Sequence, residues 1–177
     1  MKTAGIAIRP AVPGDANEIS RMSQEFVDEL DAMPVASDAP EIPEADDIVL
    51  SPEILARDVF SAAPLAHVLI AEQSAAAVGY LMYHFGYWPA DAAPSLHVVD
   101  LFVRAGARKR GVARAMMEEA IAIIGRRGGQ RLLWTVWDQN HPAIAFYERL
   151  GARFFSEERL MTLRVGISTR PIFSRNS

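Results

Sequence analysis

Arg108-Lys109-Arg110-Gly111-Val112-Ala113 joins an apolar run at residues 96–103 to an amphipathic run that starts at Gly111. The apolar run predicts a buried strand, and the amphipathic run predicts a helix. Backbone N–H groups at a helix N-terminus lack intrahelical partners, and a glycine lets the backbone approach a ligand. Three cationic side chains add charge for phosphate oxygens. The stretch therefore predicts a site for a phosphate-bearing cosubstrate, with a solvated basic turn as the alternative.

Composition restricts the class of protein. The chain has 177 residues, half of them hydrophobic, a net charge of −4 and no cysteine. We expect one domain at residues 1–167, followed by a tail at 168–177. The acidic balance argues against nucleic-acid binding, and no apolar run reaches the roughly 18 residues of a membrane helix. The start resembles no signal peptide, so we expect a cytoplasmic protein. The four histidines show no ligand spacing, so no metal is expected.

Hydrophobic periodicity predicts a layered α/β or α+β domain. Strands are predicted at residues 6–9, 67–72, 78–85, 96–103, 131–137, 152–155 and 159–165, and helices at 16–30, 51–61, 112–127 and 142–150. Residues 31–50 and 86–95 are predicted loops, the first of them acidic and free of Lys and Arg.

A second motif follows the strand that ends at Trp137. Residues 140–152 have the sequence NHPAIAFYERLGA, in which Asn140 is a candidate N-cap and Pro142 suits the first helical turn. Taken alone, Phe146 and Tyr147 would most simply be core residues of a short helix.

Together, the two motifs resemble the GNAT superfamily of N-acetyltransferases. Arg108-x-x-Gly111-x-Ala113 is similar to its pyrophosphate loop, and Asn140-x-x-Ala143-x-x-x-Tyr147-x-x-x-Gly151 is similar to its second block. Within the superfamily, Asp100-Leu101-Phe102-Val103 and residues 140–147 look most like the diamine (spermidine/spermine-type) acetyltransferases. One position departs: a Glu-Asp pair is usual on the central strand, and here it is Val99-Asp100.

The resemblance implies a mixed, mostly antiparallel sheet of about six or seven strands flanked by about four helices, and a homodimer. It implies acetyl-CoA as cosubstrate. The residues it places on acetyl-CoA are Leu101, Phe102 and Val103 for the pantetheine, Lys109, Arg110, Gly111, Val112, Ala113 and Arg114 for the pyrophosphate, and Asn140, Ala143 and Tyr147. Arg108 would either bind the pyrophosphate or order the turn.

The resemblance makes Tyr147 the general acid that protonates the CoA thiolate. A phenol with a pKa near 10 stays protonated at pH 7 and can donate. The base is open between His97, Asp100, His84 and a water chain. In a regular strand His97 and Asp100 would face opposite sides of the sheet, and a β-bulge would change that.

Acidic residues on the first helix and the loop after it have two interpretations. Glu25, Asp28, Glu29 and the segment 31–47 either attract a cationic amine or form a solvated face. The predicted function is acetyl transfer from acetyl-CoA to a primary amine of a small molecule, such as a polyamine, a diamine or an amino-acid-like compound. A protein N-terminal or lysine acetyltransferase and a non-catalytic acyl-CoA-binding domain are the alternatives.

Overall fold

A computed structural model of the chain describes residues 5–32 and 49–155. This part of the chain contains five strands and four helices. In chain order they are β1 (Ile6–Pro10), α1 (Ala16–Asp31), α2 (Pro52–Asp58), β2 (His67–Gln73), β3 (Ala76–Trp88), β4 (Ala93–Val103), α3 (Val112–Arg126), β5 (Arg131–Leu133) and α4 (His141–Arg149).

The five strands form one sheet in the order β1-β2-β3-β4-β5. The first three pairings are antiparallel, and β5 lies parallel to β4. The mixed, mostly antiparallel sheet with four helices confirms the predicted architecture, although the described part of the chain holds five strands rather than six or seven.

Each face of the sheet has its own core. One face is covered by α3, and we call it the α3 face; its buried residues include Leu69, Leu81, Tyr83, Leu96, Val98, Met116, Ala120 and Ile124. The other, the α1–α2 face, buries Ile19, Met22, Leu55, Ile70, Tyr80, Met82 and Phe102. Successive residues of a strand point to opposite faces of the sheet. The residues in these two cores therefore show to which face each neighbouring strand side chain points.

Several predicted boundaries were wrong. Residues 86–95 are not a loop: β3 runs on to Trp88 and β4 starts at Ala93, with a 3-10 turn at Pro89–Asp91 between them. Ala92 closes that turn with a left-handed φ of +48°, which the turn signals in the sequence did not locate. In contrast, β5 ends at Leu133 instead of 137, and residues 152–155 form no strand. The predicted strand at 159–165 and the tail at 168–177 lie outside the described residues.

The predicted helix starts are confirmed. Ser51 Oγ accepts a hydrogen bond from the Ile54 N–H at 3.3 Å, and Asn140 Oδ1 accepts one from the Ala143 N–H at 3.2 Å. Each cap is followed by a proline within the first turn, where the missing N–H has no helical partner to lose. No helix in the described ranges has the length and apolarity that a membrane crossing requires.

Candidate active site

The two parallel strands of the sheet separate towards one end. β4 pairs with β5 over only three residues, from Ser95 to His97. Beyond His97, β4 continues to Val103, still paired with β3 but with no described strand on its other side. The outward-facing backbone N–H and C=O groups of that edge are therefore available to a ligand that lies along the strand, except for the Val103 carbonyl, which accepts a hydrogen bond from Arg108.

A β-bulge in β4 decides which side chains share a face. Met82 pairs with Asp100, and the next residue, Tyr83, pairs with Val98, so Val99 is an extra residue in β4. Leu96 and Val98 belong to the core of the α3 face, whereas Phe102 belongs to that of the α1–α2 face. His97 and Asp100 consequently both point to the α1–α2 face, which corrects the parity expected for a regular strand. Val99 itself is 52% exposed.

Asp100 lies beside a buried phenol. The Tyr80 hydroxyl donates a hydrogen bond to Asp100 Oδ2 at 3.3 Å. Burial raises the pKa of the Asp100 carboxyl because desolvation disfavours its charged form, and the hydrogen bond from Tyr80 opposes that shift. In the described part of the chain, no cation pairs with Asp100.

Two histidines stack on the same face. His84 of β3 and His97 of β4 are register partners, with ring centroids 4.9 Å apart and planes 10° apart. Gly86 makes room for this stack, since a Cβ there would lie 2.9 Å from two atoms of the His97 ring. His84 Nδ1 lies 3.2 Å from the Phe85 carbonyl oxygen, which can only accept, so the contact requires a proton on Nδ1. Burial, assisted by His84, lowers the pKa of His97, so its imidazole is neutral at pH 7.

The basic turn before α3 is built for an anion. Gly111 occupies the N-cap position with a φ of +88°, and no side chain caps the helix. The N–H groups of residues 112–114 therefore have no helical partner. Lys109 and Arg110 are exposed, and neither forms an ion pair with any described residue. An open helix start beside two unpaired cations fits the diphosphate of a nucleotide cosubstrate.

Arg108 makes contacts that favour the second of its two predicted roles. Its Nε donates to the Val103 carbonyl at 2.7 Å, and its Nη2 donates to Glu29 at 2.6 Å. These contacts tie the turn to the end of β4 and to α1. Arg108 therefore orders the turn.

Arg104 joins the end of β4 to α1 in a similar way. Its Nε donates to both carboxylate oxygens of Glu25, at 2.9 and 3.1 Å, and its Nη1 donates to Glu18 at 2.7 Å and to the Ala77 carbonyl at 2.9 Å. Two of the carboxylates predicted to attract the substrate, Glu25 and Glu29, are thus neutralised within the chain.

The other acidic residues that were predicted to attract the substrate are Asp28 and those of the segment after it. Asp28 accepts a hydrogen bond from Gln24 at 2.8 Å. Residues 33–47 of the predicted acidic segment lie outside the described residues.

Tyr147 approaches from the opposite side of the sheet. It packs against the core of the α3 face, with its ring 4.8 Å from Trp134, the residue that follows β5. Burial raises the pKa of Tyr147 to about 12, so the phenol keeps its proton at neutral pH. Tyr147 and Asp100 therefore lie on opposite faces of the sheet at the end where β4 and β5 separate.

Comparison with known families identifies the family of this chain. The model of the acetyltransferase (GNAT) family matches residues 29–152. The chain belongs to the GNAT acetyltransferase family. It is an N-acetyltransferase, and the predicted family and enzyme class are confirmed.

Relatives of this GNAT enzyme act on amines. It is 27% identical over 164 residues to the thialysine N-epsilon-acetyltransferase of Sus scrofa, covering 87% of this chain and 88% of that protein. It is 31% identical over 85 residues to an L-ornithine N5-acetyltransferase of Arabidopsis thaliana, covering 48% of this chain and 37% of that protein. An integron cassette protein from the mobile metagenome of V. cholerae has the same fold, with a TM-score of 0.71 at 21% identity, over 91% of this chain and 93% of that one.

Three features of the GNAT enzyme's site were missed from the sequence. Tyr80 lies at a fully buried strand position. A buried tyrosine normally needs a polar partner, and this rule could have singled out Tyr80 from the sequence. Gly86 and Arg104 gave no comparable signal, because their roles depend on the register of β3 against β4 and on the position of α1. The described residues contain no group of three or more His, Asp or Glu side chains placed to hold a metal ion.

Proposed function

We propose that this enzyme transfers an acetyl group from acetyl-CoA to a terminal primary amine of a small molecule, by direct attack in a ternary complex. The observation that carries the proposal is the placement of Tyr147 and Asp100 on opposite faces of the sheet, at the end where β4 and β5 separate. A thioester lying along the free edge of β4 would then have a proton donor on one side and a proton acceptor on the other.

The residues present fit acetyl-CoA. The open N-terminus of α3, with Lys109 and Arg110, would hold the pyrophosphate, and Arg114 would add charge from the first turn. The backbone edge of residues 101–103, apart from the Val103 carbonyl that Arg108 holds, would pair with the pantetheine as an added strand does. Asn140 and Ala143 would contact the cosubstrate from the start of α4. An N–H of the β4 edge would stabilise the oxyanion that develops on the acetyl oxygen.

The proton balance assigns one task to each catalytic group. The ammonium of the acceptor gives one proton to a base on the α1–α2 face, either Asp100 or His97. The neutral amine attacks the acetyl carbon, the C–N bond forms, the C–S bond breaks and the nitrogen loses a second proton. Tyr147 donates its proton to the departing thiolate and is then reprotonated, so one proton is released to solvent in each turnover.

The acceptor class follows from two supporting facts. The relatives are named for acetylating the terminal side-chain amines of thialysine and ornithine. On the α1–α2 face, Asp100 is half-buried and pairs with no cation among the described residues, whereas Glu18 and Glu25 are held by Arg104. Among the described residues, Asp100 is the carboxylate at the site without a cationic partner, which favours an amine on a flexible chain, as in ornithine-like amino acids, diamines and polyamines.

A thiol-release assay tests the proposal. The protein is incubated with acetyl-CoA and a panel containing ornithine, lysine, thialysine, putrescine, spermidine and a lysine-containing peptide. Release with a small amine, lost in the Tyr147→Phe variant, is the expected result. Release with the peptide alone would indicate a protein acetyltransferase. Acetyl-CoA binding without release for any acceptor would indicate a non-catalytic acyl-CoA-binding domain.

Three further expectations belong to the same proposal. They are a single catalytic domain at residues 1–167, a homodimer in solution and a location in the cytoplasm. Analytical ultracentrifugation of the full chain checks the second of them, since a sedimentation mass near 19.5 kDa would mean a monomer.

A further inference from the structure

The Tyr80 hydroxyl is a polar group in an apolar core. Tyr80 has 0% exposure and packs among the apolar residues of the α1–α2 face, 6.1 Å from the Phe102 ring. Phenylalanine would fill the same space without a polar atom to satisfy. Burying a hydroxyl is unfavourable unless it is hydrogen-bonded, so its partners indicate what it does.

The Tyr80 hydroxyl lies between α1 and Asp100. The Leu50 N–H donates to Ser23 Oγ at 3.2 Å. Ser23, only 4% exposed on α1, interacts with the Tyr80 hydroxyl, which donates to Asp100 Oδ2 at 3.3 Å. The donation from Tyr80 favours the ionised form of the Asp100 carboxyl.

The bulge in β4 brings Asp100 to the Tyr80 hydroxyl. Without the extra residue Val99, Asp100 would not share a face with both Tyr80 and His97. With the bulge, the carboxyl accepts a hydrogen bond from the Tyr80 hydroxyl, which also interacts with Ser23 of α1.

The surroundings of Asp100 contain few other ionisable groups. β3 contributes Tyr80 and His84, β4 contributes His97, α1 contributes the Ser23 hydroxyl, and α2 contributes apolar Leu55 and Val59. The α1 carboxylates Glu18 and Glu25 are paired with Arg104. Tyr80 is therefore the one titratable side chain hydrogen-bonded to Asp100 in the described part of the chain.

We infer that Tyr80, backed by Ser23, is a positioning residue that holds the Asp100 carboxylate ready to accept the proton of the acceptor amine. The inference rests on the proposed function and chooses between its two candidate bases. Tyr80 transfers no proton itself. Its hydroxyl fixes one oxygen of Asp100, which leaves the other oxygen for the amine or for a water between them.

The test compares two phenol-to-phenyl variants in the same strand. Tyr80→Phe removes the donor to Asp100, whereas Tyr83→Phe removes a hydroxyl from the α3 face three residues away. For each, kcat/KM for the best small amine is followed against pH, together with the acetyl-CoA KM and the Tm.

In Tyr80→Phe we expect the acidic limb of the profile to move upward by about one pH unit or more, because a hydrogen bond to a charged group is lost. We also expect kcat at pH 7 to fall about tenfold, with the acetyl-CoA KM unchanged. Tyr83→Phe should leave the acidic limb in place. An unmoved limb in Tyr80→Phe, or an equal shift in both variants, would overturn the inference.

A second pair of variants keeps the test decisive if Tyr80→Phe folds poorly. Ser23→Ala removes the hydroxyl that interacts with Tyr80 and should shift the limb in the same direction by a smaller amount. Ser95→Ala is its control, since Ser95 is similarly buried and its Oγ has no hydrogen-bond partner among the described residues. A wild-type enzyme that acetylates no amine would refute the proposed function. An active enzyme whose kcat/KM profile keeps its acidic limb in place in both the Ser23 and the Tyr80 variants would refute only this inference.

Discussion

The imidazole of His97 lies flat against that of His84, with the two ring centroids 4.9 Å apart. Burial disfavours the charged form of the His97 imidazole, and a positive charge on the His84 ring directly against it would add repulsion. The pKa of His97 is accordingly lower in the folded protein than its ordinary value of 6.5.

This stack predicts a pH dependence of stability. A group whose folded pKa is depressed binds protons more readily when unfolded, so folding stability falls as pH decreases from about 6.5 through the folded pKa. In His97→Asn the free energy of unfolding should decline less between pH 7 and 5 than in wild type. Urea denaturation at several pH values measures the difference. His141→Asn, at an exposed histidine, is the control; equal declines in all three proteins would contradict the prediction.

Removing the Tyr147 hydroxyl should slow turnover without weakening cosubstrate binding. We expect Tyr147→Phe to lower kcat by roughly 10²-fold or more, in line with general-acid contributions, while the Kd for CoA stays within about twofold. Thiol release and isothermal titration calorimetry measure the two quantities. Tyr87→Phe, at a tyrosine 62% exposed, serves as the matched control. Full activity of Tyr147→Phe would remove Tyr147 from the mechanism.

Substitutions in the basic turn should distinguish the residues that bind the cosubstrate from the residue that stabilises the fold. Lys109→Ala and Arg110→Ala are each expected to raise the acetyl-CoA KM by roughly 10-fold, with little change in Tm, because a charge-assisted contact to phosphate is lost. Arg108→Ala should instead lower the Tm, since it loses its bonds to Val103 and Glu29. Should Lys109→Ala and Arg110→Ala leave the KM as it is, the pyrophosphate lies elsewhere.

Two glycines of the same helix should respond in opposite ways to alanine. Gly111 has a φ of +88°, where a Cβ is strained, so Gly111→Ala should destabilise the protein by about 1–2 kcal/mol. Gly125 lies inside α3 with open space around its Cβ position, so Gly125→Ala should stabilise it by about 0.5–1 kcal/mol. Urea denaturation of both variants provides the measurement, and changes of the same sign would contradict the assigned geometry.

Glu25 should contribute to the stability of the fold and not to binding of the acceptor amine. Glu25→Gln weakens the junction between α1 and Arg104 and should cost about 1–3 kcal/mol of unfolding free energy, while the KM for the amine stays unchanged. Gln24→Ala, which loses only an exposed hydrogen bond to Asp28, is the control. A rise in amine KM for Glu25→Gln, with stability intact, would restore the role in attracting the substrate.

The local structure of the two motifs could be predicted from sequence because it depends on short-range geometry. A basic turn with a glycine before a helix, and an asparagine cap before Pro142, are set by neighbouring residues, and both were found where predicted. The shared face of His97 and Asp100 was not predicted, because one extra residue in β4 becomes visible only against the register of β3. The Arg104 and Arg108 pairings were missed for a similar reason, as they join residues 79 to 86 positions apart in the chain.

The bulge at Val99 also restricts how β4 can change over evolutionary time. Deleting that one residue would return the strand to strict alternation. Either Leu96 and Val98 would then turn out of the core under α3, or Phe102 would leave the opposite core. A point substitution at the exposed Val99 disturbs neither core. β4 should therefore tolerate a substitution at Val99 far more readily than the insertion or deletion of one residue.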